Sequence, residues 1–204
     1  MRKRHEILFL IILTACSSSE KDGQQSINNY SDTIVKINRK EFYSIDQQPA
    51  KTIIDFLKWY KINRNRLVGI ETVKNVPNSE NYDSTKFYSV NFEGTEKYLS
   101  ELKRSGFISD KYIGSWREYF KKCDENFKIN PRNDGPAEGF DFDFITWTQE
   151  YEETLANINK TKVLNEQIIN DKAMLVIDLY GMKLGYWLTK INDKWIIDKN
   201  IEVK

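Results

Sequence analysis

Three carboxylates stand where they could do chemistry. Asp141 and Asp143 flank Phe142 in the run Phe140-Asp141-Phe142-Asp143-Phe144, directly after a Gly/Pro loop. Two acids two residues apart could, with backbone oxygens, hold Ca²⁺. Such loops bring more acids than these two plus the more distant Gln149 and Glu150. The pattern therefore reads as phenylalanines plugging a core while the aspartates cap a helix. Asp141, Asp143 and Gln149 are the ligand-binding candidates, and neither a metal nor another cofactor is expected. Asp178 is the candidate catalytic base, set in an apolar strand with Met174, Val176 and Tyr180. The alternative for Asp178 is a solvated residue, or one paired with Lys183 or Lys190, as is ordinary on half-exposed strands.

The remaining reactive groups depend on the N-terminus. Arg2, Lys3 and Arg4 precede an apolar run from Ile7 to Leu13, then Thr14, Ala15 and Cys16. A charged start, a short apolar core and small residues before a cut are the anatomy of a secretory signal. With cysteine at the cut, the segment resembles a bacterial lipoprotein signal, in which the Cys16 thiol is lipidated and residues 1–15 are removed. The run is far shorter than the roughly 20 residues a membrane helix needs. At about 0.8 kcal/mol per buried methylene, two or three acyl chains would hold a small domain on a bilayer. Ser17, in place of aspartate, resembles outer-membrane sorting. The expected location is the cell envelope, lipid-anchored in the outer membrane and facing the periplasm.

Removal of that segment takes the only histidine, His5. Ser-His and Cys-His nucleophile pairs and histidine metal sites are then excluded. Cys123 would be the one remaining thiol, so no intrachain disulfide is available. Three cations and Glu6 leave from totals of 31 and 30, for a mature charge of about −1, which offers no global field for nucleic acid. Glycines are scattered singly, without a phosphate loop.

Residues 16–35 comprise the lipidated cysteine and a polar tether, and 36–204 a single domain. Its first helix is expected from Pro49 to Asn65, with Ile53, Phe56, Leu57 and Tyr60 on one face. Tyr88, Val90 and Phe92 suggest a short strand, and Thr95 a cap for a helix stopped by Lys103, Arg104 and Gly106. From Ser109 a helix carries the stripe Ile113, Trp116, Phe120, Cys123 and Phe127, which makes Cys123 a buried, inert residue. After the Asn130–Pro136 loop, Phe144, Trp147, Tyr151 and Leu155 suggest another helix, capped by Asp141 or Asp143. The last third alternates with period two. Ala173, Leu175, Ile177 and Leu179 share a face, and turns at Gly181 and Asn192-Asp193 fold an antiparallel meander. The fold class is α+β: N-terminal helices packed on a curved antiparallel sheet formed mainly by the C-terminal meander.

Helices followed by a meander ending in Asn-Asp-Lys-Trp-Ile-Ile-Asp resemble the nuclear-transport-factor-2-like, or cystatin-like, α+β cone superfamily. Tyr98-Leu99, Ser105-Gly106-Phe107, Ser109, Cys123-Asp124, Asp141, Asp143 and Gln149 look like a family of secreted bacterial lipoproteins of unassigned function on that fold. The resemblance implies a sheet curled around a pocket closed by helices. In related ketosteroid isomerases a carboxylate works there with tyrosine and a protonated aspartate. The leading expectation is a non-catalytic envelope lipoprotein that binds a protein or small molecule, in one form an immunity protein against a periplasmic toxin. The alternative is a small pocket enzyme of isomerase, dehydratase or hydrolase type using Asp178 and a tyrosine.

Overall fold

Alternating apolar residues in the last third build the largest element, a four-stranded antiparallel sheet. Its strands are β3 (Lys162–Ile169), β4 (Lys172–Leu179), β5 (Met182–Ile191) and β6 (Lys194–Glu202), paired in sequence order. The computed structural model describes residues 49–77 and 82–203. Cys16, the signal segment and the tether therefore lie outside the described residues. Tyr180 and Gly181 both take positive φ, as do Asn192 and Asp193, the requirement of two-residue hairpin turns that follow strand twist. Irregularities between Val163 and Asn165 in β3, and opposite Trp187–Leu188 in β6, interrupt the register. Bulges of this kind bend a sheet.

Ahead of the sheet run α1 (Ala50–Val68), β1 (Val73–Lys74), β2 (Ser89–Val90), α2 (Phe92–Lys103), α3 (Asp110–Ile129) and a short α4 (Tyr151–Ala156). This is the α+β arrangement, helices packed with a meander. Pro49 occupies the N-cap of α1. Asn91, not Thr95, caps α2, accepting the Gly94 N–H, so Phe92 opens that helix instead of ending a strand. Ser109 caps α3 by accepting from Tyr112. The backbone just before α3 docks on β6: Ser109 N–H donates to Ile197, and Ile197 N–H to Phe107. That covers one sheet edge.

The inner face of the sheet is filled. Leu175, Ile177, Leu184, Tyr186, Leu188 and Ile197 are buried against Phe56, Leu57, Tyr112 and Trp116 from the helices. No helix among the described residues is long and apolar enough to cross a membrane.

Two expectations need correction. Residues 144–150 are turns, and the helix begins only at Tyr151. Trp147 takes φ of 58°, which a continuous helix does not allow. On α3, Cys123 is half-buried, whereas its neighbour Asp124 is buried. The Asp124 carboxylate accepts the Val90 N–H at 3.1 Å and pairs with Lys128 at 2.6 Å. It ties β2 to α3, and that bond is what draws an acid inward.

Candidate functional site

Tyr60 and Arg64 are one helical turn apart and share a face of α1. Both reach the same carboxylate. The Tyr60 hydroxyl donates to Asp143 Oδ2 at 2.6 Å, and Arg64 Nε donates to that oxygen at 2.9 Å. The other oxygen, Oδ1, accepts from the backbone N–H of Ile145 (3.1 Å) and Thr146 (3.0 Å) and from the Thr146 hydroxyl (3.0 Å). A carboxylate has about four lone-pair sites, and five donors converge on this one. Asp143 is saturated, with its side chain 1% exposed.

Alternation in Phe140–Phe144 would put both aspartates on one side, but the turn separates them. Asp141 remains exposed, while Asp143 is drawn in. Asp143 N–H donates to Thr148 and Trp147 N–H to Asp143, closing the turn that Trp147's positive φ permits. Asp143 thus caps a turn, not a helix. The phenylalanines do enter the aromatic core: Phe144 meets Trp116 at 5.2 Å between centroids, and Phe140 stacks on Phe120 at 5.6 Å. Hydroxyls of Tyr88 and Tyr119 donate to Gly135 and Gly139, pinning the loop to the body of the fold.

Burial pushes the Tyr60 phenol far above its usual range, and the neighbouring Tyr98 and Asp143 push it further. Burial does the same to Tyr98, reinforced by Asp143. Both phenols keep their protons at any ordinary pH. For Arg64, burial works against the charge, and the bond to Asp143 more than offsets it. The Arg64 guanidinium lies over the Tyr151 ring, 3.2 Å from its centroid. Stacking on one side and the Nε bond on another hold it still.

These groups line a cleft of about 530 Å³ formed by α1, α2, the 136–149 loop and the start of α4. Leu67, Ile70, Phe140, Phe142 and Phe144 give it apolar walls, and Tyr60, Tyr98, Arg64 and Tyr151 polar ones. Its size lies within the range of small-molecule sites, roughly 300–1,000 Å³. Comparison with known protein families, curated proteins and solved structures returns no match to this chain. The site therefore rests on its own geometry.

All three residues nominated from sequence as ligand-binding, Asp141, Asp143 and Gln149, line this cleft. Asp141 and Gln149 are exposed and Asp143 is buried. Asp178 sits elsewhere, at the end of β4, where Oδ1 accepts the Gly181 N–H at 2.7 Å. It faces Lys162 and Lys183 in register and does not line the cleft. Cys123 is a free thiol beside Tyr119 and Gly139, its pKa raised first by burial. Among the described residues, no three acidic, histidine or cysteine side chains converge as a metal site would require. Sequence reasoning missed Tyr60 as a polar group, Arg64, Tyr98 and Tyr151. The one local signal was the four-residue spacing of Tyr60 and Arg64. It reads as a helix face and says nothing of a partner some 80 residues later.

Proposed function

We propose that this chain is a lipid-anchored envelope protein of the cone superfamily whose cleft binds a ligand without transforming it. The observation that supports this most is the saturation of Asp143. The cleft's buried carboxylate has no lone pair left to take a substrate proton, and its two flanking phenols hold theirs firmly. General acid–base catalysis needs a group free to exchange a proton near the working pH. A rigid concave surface with apolar walls and a few fixed donors instead suits recognition. The order of helices then meander supports the superfamily reading, the Leu13-Thr14-Ala15-Cys16 segment supports the anchor, and Ser17 supports the outer-membrane location.

The test has two parts. A mixed fragment set titrated into the purified protein and followed by NMR should perturb Tyr60, Phe142 and Tyr151, and Gln149→Trp at the mouth should abolish those shifts. Fragments that perturb every surface except the cleft would remove the binding reading. Cys16→Ser should lose the lipid mass and leave the membrane fraction. A membrane-bound mature form of unchanged mass would remove the anchor.

A further inference from the structure

The cleft's binding reading can be taken to a ligand class through the atoms of Arg64. Its side chain is 14% exposed. Nε is committed to Asp143, whereas neither terminal nitrogen, Nη1 nor Nη2, has a protein partner among the described residues. Neither is sealed from solvent as an orphaned buried atom. Arg64 is thus a held guanidinium with its two-pronged end unpaired inside a cleft. Any occupant that displaced the water there without supplying acceptors would leave charged donors unsatisfied, which is strongly unfavourable. The occupant must bring oxygens.

We propose that the cleft takes a small organic monocarboxylate, its two oxygens held by Nη1 and Nη2 of Arg64 and its apolar body laid against Phe142 and Val68. Two parallel N–H···O bonds match the planar guanidinium to a planar carboxylate. Among the described residues Arg64 is the only cation lining the cleft, and Asp143 and Asp141 line it too. Asp143's charge is met by Arg64 and four further donors, and Asp141 is exposed to water, so a monoanion meets less repulsion than a dianion. A dianion such as a phosphate monoester would meet two aspartates with one cation and is disfavoured. Phe142 is stacked on Trp147 at 5.3 Å, so it presents a fixed aromatic surface.

The inference rests on the binding reading, and its probes separate the two. 3-Phenylpropionate, its neutral amide 3-phenylpropionamide, and phenyl phosphate are titrated into the purified protein by NMR and calorimetry. The carboxylate should perturb Arg64, Tyr151 and Phe142 and bind at least tenfold more tightly than the amide or the phosphate. Arg64→Lys keeps the charge but removes the fork, and should erase most of that preference. Should that variant fold poorly, the three-ligand series on the unaltered protein decides alone. Equal binding of carboxylate and amide would overturn the Arg64 clamp while leaving the cleft a binding site. Tighter phosphate binding, or none by any of the three probes, would overturn the carboxylate class. Only failure of the mixed fragments at the cleft would overturn the binding reading itself.

Discussion

Replacing Asp143 by asparagine is the sharpest probe of how the cleft is built. The side chain keeps its shape but has one oxygen instead of two. If that oxygen stays with Ile145 and Thr146, the new NH₂ faces the Tyr60 hydroxyl and Arg64 Nε. Tyr60 can turn its hydroxyl and accept; Arg64 has only donors and cannot. The flipped orientation is worse, because two fixed backbone N–H groups would face an NH₂. The variant therefore loses at least one charge-assisted bond and the charge that balances Arg64. Hydrogen bonds to charged groups contribute about 1.5–3 kcal/mol each. Breaking a fully buried ion pair costs about 3–5 kcal/mol, but Arg64 reaches solvent and recovers part of that. An expected loss of about 2–4 kcal/mol follows, against a typical total stability of about 5–15 kcal/mol. With a urea slope of about 2 kcal/mol per molar, the unfolding midpoint should fall by about 1–2 M. Asp141→Asn is the matched control: the same chemistry two residues away, exposed, with an expected change within about 0.5 kcal/mol. Midpoints for the two variants within about 0.3 M of each other would refute the claim that Asp143 organises the site.

Two further outcomes are expected. At Gly94 an added Cβ would sit 1.8 Å from the backbone oxygen of Glu71. Backbone cannot give way as a side chain can, so Gly94→Ala should destabilise by about 3 kcal/mol or more; a thermal midpoint unchanged from the parent would contradict this close approach. Glu166 lies half-buried on β3 with Oε1 unpartnered, and burial raises its pKa above the usual 4.5. The unfolded chain ionises this group at the lower, ordinary pKa. Stability is therefore lost as pH rises through the ordinary value toward the folded one. Glu166→Gln should be more stable than the parent at about pH 7 and indistinguishable from it at about pH 3, where both carry a neutral side chain. Thermal unfolding at the two pH values checks the sign, and a variant less stable at the higher pH would contradict it.

What the sequence determined by itself is what depends on near neighbours. The period-two run from Ala173 to Leu179, the turns at Gly181 and Asn192-Asp193, and the Ser109 cap of α3 all act over a few residues. Each is decided by side-chain alternation, φ preference or a local hydrogen bond, so pattern alone locates it. Phe140–Phe144 was legible as a place where acids and aromatics meet, and its aspartates do line the cleft. What each does was settled only in three dimensions. Asp143 went inward because Tyr60 and Arg64, about 80 positions earlier, bring it two of its five donors. Asp141, with the same chemistry, has no such donors among the described residues and is exposed. Cys123 is only half-buried while Asp124 beside it is buried, because burial at the margin of a helical stripe is decided by what packs there. The Val90 N–H needed an acceptor, and Asp124 supplied it. Asp178 carried the right chemical type in an apolar strand, but the hairpin gave its oxygen to Gly181. A sequence specifies which groups are present and which way a strand or helix turns them. Which unpaired donor a buried acid will meet is a property of the packed fold, because the cost of leaving either one unpaired is felt only once water has been excluded.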